Sequence, residues 1–250
     1  MTKAAPRICV AIPAFNSADY ISGLITYILE QRPYRIYVLD DASTDGTVAL
    51  CKKFPNVKVI AGDKNVGPTR NRNRILGEDI GDVLVFIDDD IQWRAGDMTH
   101  TVKKHFAAPN VGALGFAIFT AANKELWFGN ERESSPLFFW ARRPFITPLK
   151  STERKKSFLP VQWLLEGAFA VRSDLFKSLG GFDERFKRYQ EGPDLCRRIR
   201  QKKYVIGYTH DLQFNHPKPL NVFRLSHAPL YLRSGIIWHT IHRGKIKDRT

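Results

Sequence analysis

Apolar residues arrive in short blocks along the first half of the chain, and each block stops abruptly at polar or acidic residues. Residues 7–13 (RICVAIP), 35–39 (RIYVL), 57–60 and 83–87 (VLVFI) read as buried strands. A continuous apolar run bounded by turn residues suits a strand covered on both faces. Between these blocks the spacing changes. Ile21, Leu24, Ile25, Ile28 and Leu29 recur at helical intervals, which predicts a helix over 17–31 capped by Ser17 or Asp19. Further helices are predicted from Thr44 or Asp45 to Lys53, over 68–76 and over 97–106, and a strand over 111–119. The alternation predicts an α/β fold, a mixed and mostly parallel sheet flanked by helices in a single domain. In such sheets ligands sit beyond the carboxyl ends of the strands.

The second half is less regular. Residues 121–158 interleave Trp127, Phe128, Phe138, Phe139, Trp140 and Phe145 with Arg142, Arg143, Lys150, Arg154, Lys155 and Lys156. Long loops in compact domains are more often functional than idle, so a binding role is expected for 121–158. After 161–171 come a turn at Gly180-Gly181, a helix near 193–201 and a strand at 204–208. Residues 230–247 mix Leu232, Ile236, Ile237, Trp238 and Ile241 with Arg233, Arg243, Lys245 and Lys247. That stretch reads equally as a helix lying on anionic lipid and as a terminal helix packed on the domain. The expected organisation is a domain over 1–220, with a donor-binding half (1–118) and an acceptor-binding half (119–220), followed by a basic amphipathic extension (221–250).

Composition narrows this picture only in places. The 250 residues are 43% hydrophobic, enough for one sizeable core, and 12% aromatic, which excludes a disordered chain. Cys9, Cys51 and Cys196 lie far apart with no metal spacing, so a reducing compartment is expected. With no long apolar run and no signal-like start, the expectation is a cytoplasmic protein, with association at the cytoplasmic face of a membrane as an option. The net charge of +14 admits nucleic acid, anionic lipid or an acidic small substrate and does not choose among them.

The chemistry is concentrated where strands stop. Pro13-Ala14-Phe15-Asn16 follows the first, Asp40-Asp41 the second and Asp88-Asp89-Asp90 the fourth. In a doubly wound sheet these groups share one rim. Two carboxylates about 5 Å apart at an effective dielectric of about 20 repel by roughly 3 kcal/mol. A divalent ion would offset that repulsion, and oxygen ligands suit Mg²⁺ or Mn²⁺. Alternation puts Asp88 and Asp90 on one side and Asp89 on the other. The triplet therefore reads as a D-x-D pair with one spare carboxylate, the ion's remaining positions going to a nucleotide diphosphate.

The sequence resembles the inverting family-two glycosyltransferases with the GT-A (Rossmann-like) fold. The resemblance rests on VAIPAFN (10–16), VLDDASTDGT (38–47), NVGPTRN (65–71), VFIDDD (85–90), GGFDERF (180–186) and EGPDLCRRIR (191–200), in the family's order and spacing. It implies a metal-dependent transfer from a nucleoside diphosphate sugar, UDP by default, to a saccharide or lipid-linked acceptor, as in polysaccharide biosynthesis. It implies that Phe15 stacks on the base, with Pro13, Ala14, Asn16 and Asn65 lining the same pocket. Asp41 or Asp40 would accept from a base N–H, and Arg70 would sit near the base or phosphates. Asp88 and Asp89 would approach the ribose or sugar, Asp90 would be the firmest metal contact with Asp88, and His216 would complete the metal shell or touch a phosphate. Trp163, Glu166, Gly167 and Asp183 would line the acceptor side.

An inverting displacement needs a base on the face opposite the leaving nucleotide. The family usually supplies it from an E-D-x-D-L stretch, but here Glu191-Gly192-Pro193-Asp194-Leu195 puts glycine at the base's position. Glu191 and Asp194 remain as candidates, Glu191 favoured for its longer side chain. Two rivals stand beside this reading. A sugar-phosphate nucleotidyltransferase also uses a sheet, carboxylates and Mg²⁺, but should carry a glycine-rich basic loop where Ala14-Phe15-Asn16-Ser17 stands. A non-catalytic binder of nucleotide sugars or nucleic acid is the other, yet a nucleic-acid groove should not present five aspartates on its rim, so no nucleic-acid partner is expected.

Overall fold

The computed structural model describes residues 5–126, 156–217 and 228–242. Most of the aromatic and basic 121–158 segment, and residues 243–247 of the terminal stretch, lie outside the described residues. The strands are β1 (Ile8–Ala14), β2 (Arg35–Asp40), β3 (Val57–Ala61), β4 (Val83–Ile87), β5 (Gln92–Ala95), β6 (Val111–Thr120), β7 (Glu125–Leu126), β8 (Leu159–Val161), β9 (Ala168–Arg172) and β10 (Val205–His216). The helices are α1 (Ile21–Glu30), α2 (Thr47–Cys51), α3 (Pro68–Asn73), α4 (Met98–Phe106), α5 (Ser173–Ser178), α6 (Glu191–Gln201) and α7 (Ala228–His242).

One sheet runs in the order β3-β2-β1-β4-β9-β6-β10-β5, with β7 on β6 and β8 on β10. β3, β2, β1 and β4 are parallel, as the apolar blocks predict. β9 then enters antiparallel to both β4 and β6, which makes the sheet mixed. The pleat sorts the core into two layers. Ile8, Val10 and Ile12 of β1 and Val83, Val85 and Ile87 of β4 join Leu24 and Ile28 of α1 and Val102 of α4 on one face. Cys9, Ala11, Leu84 and Phe86 join Leu175 and Phe176 of α5 and Leu195 and Ile199 of α6 on the other. Each fully buried Leu, Ile or Phe contributes about 1.5–3 kcal/mol, so both helical layers are held firmly against the strands. Cys9, Cys51 and Cys196 are all free thiols inside these layers; burial raises each thiol, to about 12, 11 and 12 in that order, which keeps them inert.

Several boundaries differ from the expectation. α1 starts at Ile21, and Ser17 caps it through its carbonyl, which accepts from the N–H groups of Tyr20 and Ile21 at 3.0 Å; neither the Ser17 hydroxyl nor Asp19 does so. Asp97 does cap α4 with its side chain, accepting from His100 N at 2.7 Å. β5 gives too short a signal to read, since only Trp93 packs, edge-on against Phe214 at 5.1 Å. β10 continues far beyond residue 208, because irregular register between Thr209 and Gln213 re-aims it along β6 and β5.

Candidate active site

The parallel strands deliver their acidic ends to one rim, and the loops there are tied to each other. Asn16 (φ 51°) and Ala42 (φ 64°) adopt left-handed backbone. The Asn16 side chain accepts from Thr44 N at 2.8 Å, and its own N–H donates to the Ser43 hydroxyl at 2.9 Å, joining the β1 and β2 loops. Asp41 spends both oxygens on backbone, accepting from Val66 N and Gly67 N at 2.9 Å each, and so holds the loop before α3. Asp40 accepts from Ser43 N at 3.1 Å with one oxygen, while the other, buried Oδ1, has no hydrogen-bond partner among the described residues. Asp89 accepts from Phe15 N at 3.0 Å and thereby fixes the loop that leaves the Phe15 ring 47% exposed. Burial lifts the Asp89 carboxyl to about 6, against the pull of that N–H. Pro13 and Ala14 are buried in β1, and Asn65 is exposed.

Arg70 is exposed and pairs with Glu184 at 3.2 Å. The guanidinium that reaches the acids is Arg72, two residues on, which the sequence reading missed. Thr69 and Arg72 are three residues apart and both buried, so α3 turns that face inward despite its polar composition. Asn73 fastens α3 from the other side. Its side chain donates to Phe182 O at 2.8 Å and accepts from Phe182 N at 2.9 Å. The GGFD turn makes this approach possible: Gly181 sits at φ 72°, and a Cβ there would lie 2.4 Å from Asn73 Oδ1. Asp183 is spent inside the same turn on Arg185, which holds its carboxyl below the usual range.

Arg72 donates to Asp88 Oδ1 at 2.7 Å and lies 3.8 Å from Glu191 Oε1. Glu166 belongs to the same group. It precedes β9, and because β9 runs backwards beside β4, Gly167 O accepts from Asp88 N at 2.8 Å. Glu166 Oε1 in turn accepts from Gly192 N at 2.7 Å. Three carboxylates thus crowd one guanidinium. Burial raises the Asp88 carboxyl although Arg72 opposes the rise, and burial raises Glu166 in the same way. Burial, then the like charge of Glu166, pushes Glu191 up to about 8. Glu191 is 4% exposed, and its Oε2 has no hydrogen-bond partner among the described residues. The helix it opens is approached through Tyr189 and Gln190, both left-handed at φ 68° and 72°, a conformation that costs about 1–3 kcal/mol per residue and recurs at functional sites. Asp194 is buried one helical step away and accepts from Arg198 Nε at 2.7 Å. Trp163 packs against the second core layer.

Asp90 and His216 come together at the far end of the triplet, where β10 ends beside β5; His216 Nε2 lies 3.8 Å from Asp90 Oδ1. Among the described residues no group of three or more His, Cys, Asp or Glu side chains closes on a metal position. The pair stands beside the excess negative charge around Arg72, and Asp88 and His216 act on each other electrostatically.

A rim of this composition on a sheet of this order makes the protein a glycosyltransferase with the GT-A fold. The chain belongs to glycosyl transferase family 2, whose profile matches residues 9–179. It is 28% identical over 263 aligned positions to an N-acetylglucosaminyl-diphospho-decaprenol L-rhamnosyltransferase of Mycobacterium tuberculosis, covering 95% of this chain and 84% of that one. Its fold is similar to that of a mannosyltransferase of Pyrobaculum calidifontis solved with GDP-mannose and Mn²⁺ (TM-score 0.65, 21% identity, 98% of this chain). It is also similar to residues 1–349 of TarS from S. aureus solved with UDP-GlcNAc (TM-score 0.66, 18% identity, 97% of this chain and 68% of that one). The chain spans 65% of the mannosyltransferase. Among the described residues no helix is long and apolar enough to cross a membrane.

Proposed function

We propose that this chain moves a sugar, with inversion at the anomeric carbon, from a nucleoside diphosphate sugar to a hydroxyl of a saccharide or lipid-linked acceptor, with Mn²⁺ or Mg²⁺ bound at the rim. The observation that carries this reading is the juxtaposition of Asp88, Glu166 and Glu191 on Arg72, with Asp90 and His216 alongside. The exposed Phe15 ring receives the base, Pro13, Ala14, Asn16 and Asn65 border it, and Asp40 or Asp41 accepts a base N–H. Asp40 keeps one unused oxygen for this, whereas Asp41 already serves two backbone donors. Asp88 and Asp89 stand toward the ribose and sugar, and Arg70 toward the phosphates. Asp90 and His216 would hold the ion, which when bound offsets charge growing on the departing diphosphate. Trp163, Glu166, Gly167 and Asp183 border the acceptor. The activity of the mycobacterial relative, an N-acetylglucosaminyl-diphospho-decaprenol L-rhamnosyltransferase, favours a diphospholipid-linked acceptor. Leu232 (44% exposed) and Ile236 (65% exposed) on α7, with Arg233 between them, favour peripheral contact with an anionic membrane. UDP is the default base, and the GDP-mannose and UDP-GlcNAc complexes of the neighbours keep both nucleotides in view.

The test is a panel of UDP-, GDP- and dTDP-linked sugars assayed with Mn²⁺ for release of nucleoside diphosphate. Release is expected with at least one donor. Asp90→Ala is expected to abolish metal-supported turnover while keeping the cooperative unfolding of the parent. Undiminished turnover in that variant would remove Asp90 from the metal site, and pyrophosphate release would favour the nucleotidyltransferase.

A further inference from the structure

Glycine at 192 is a spatial requirement. A Cβ built there would lie 2.2 Å from Glu166 Oε1 and 2.6 Å from its Cδ, so no other residue fits while Glu166 keeps its position. The carboxylate of Glu166 occupies the volume into which a side chain at 192 would project. It is anchored there by the Gly192 N–H, which donates to Oε1 at 2.7 Å and leaves Oε2 as the oxygen the helix does not engage. The other acids of the group are less available. Asp88 is held by Arg72 at 2.7 Å, Asp194 is bound to Arg198, and Glu191 lies deeper than Glu166, which is only partly buried.

We infer that Glu166, delivered by the loop before β9, is the general base of the transfer, standing in the place of an acid that the head of α6 lacks at Gly192. The inference rests on the transferase reading above and adds the identity of the proton acceptor. In the step itself Glu166 Oε2 takes the proton of the acceptor hydroxyl as that oxygen forms its bond to the anomeric carbon. The bond from that carbon to the diphosphate oxygen breaks, and its electron pair leaves with the nucleoside diphosphate. Arg72 is a positioning residue: its guanidinium holds Asp88 and offsets the negative charge beside Glu166, while Glu191 stays protonated to about pH 8 and adds no charge as Glu166 ionises.

Four variants test this on the full chain, using a donor from the panel that turns over and a synthetic N-acetylglucosaminyl diphospholipid as acceptor. Glu166→Gln keeps the oxygen that accepts from Gly192 N. It is expected to lower kcat about 10²–10⁴-fold with donor KM and thermal stabilisation by the nucleoside diphosphate and Mn²⁺ unchanged. Glu166→Ala is expected to fall as far, and the double variant Glu166→Ala with Gly192→Asp, in which the vacated space takes a carboxylate from the helix side, is expected to recover at least tenfold over it. Glu191→Gln is expected to lower kcat far less than Glu166→Gln does and to leave the acidic limb of the kcat profile in place, because Glu191 still holds its proton while Glu166 ionises. A Glu166→Gln enzyme within threefold of the parent, with Glu191→Gln inactive, gives the proton to Glu191 and overturns the inference. A parent protein that binds and turns over no sugar nucleotide overturns the transferase reading itself.

Discussion

Two sets of acids share the rim, and they are used in opposite ways. On the β1–β2 side, Asp41 and Asp89 face backbone N–H groups and build the loops that carry Phe15 and α3. Across β4, Asp88, Glu166 and Glu191 face one buried guanidinium and each other, and burial raises all three carboxyls. Asp183 lies outside both sets, satisfied by its own neighbour Arg185 and lowered by it. A carboxylate given local donors becomes a structural part. Burial lifts Asp89 as well, to about 6, so what sets the second group apart is one cation shared among like charges and not burial alone.

Removing the shared cation should break this contrast most severely. Arg72→Met keeps most of the side chain's volume and leaves three buried carboxylates without their counter-charge. A loss of about 3–5 kcal/mol is expected from urea unfolding at neutral pH, and a loss under about 1 kcal/mol would mean that the three acids do not depend on Arg72. A smaller effect separates Glu191 from an ordinary glutamate. Its carboxyl rises from 4.5 to about 8, so between those values the native protein holds a proton that the unfolded chain has released. This contribution therefore makes stability fall as pH climbs from about 5 to about 8. Unfolding free energies measured across that window should flatten in Glu191→Gln. The smallest effect belongs to the third kind of acid. Asp183→Asn should change stability by less than about 1 kcal/mol, since Arg185 is largely exposed. A larger loss in thermal unfolding would show that the turn, and with it α3, depends on that pair.

Strand ends and their acids were legible in the sequence because a buried strand announces itself by an unbroken apolar run, and VLVFI matches β4 at both ends. The second half was harder. β5 has four residues and α5 six, too few to display a period. The placement of Glu166 was hidden for another reason: LLEG fits a solvated loop as well as a rim, and only β9 running against β4 brings it beside Asp88. Arg70 was read in place of Arg72 because a helix of six residues gives little sign of which face turns inward. The buried Thr69–Arg72 spacing was the available signal. Gly192 stood out as a departure from the family pattern, but its meaning needed the contact with Glu166, which lies 26 residues earlier in the chain.

The peptide bond between Gly167 and Ala168, one residue beyond Glu166, accepts directly from the N–H of Asp88. Glu166, two residues before β9, is thereby tied close to the end of β4 by main chain and to the head of α6 by the Gly192 N–H. Exposed loop residues such as Asn65 and Arg70 can drift toward another sugar or another lipid while the spacing of the reaction stays as the sheet made it. A single-residue slip of β9 would do the reverse, turning its alternate side chains to the wrong face and taking the glutamate away with the rest.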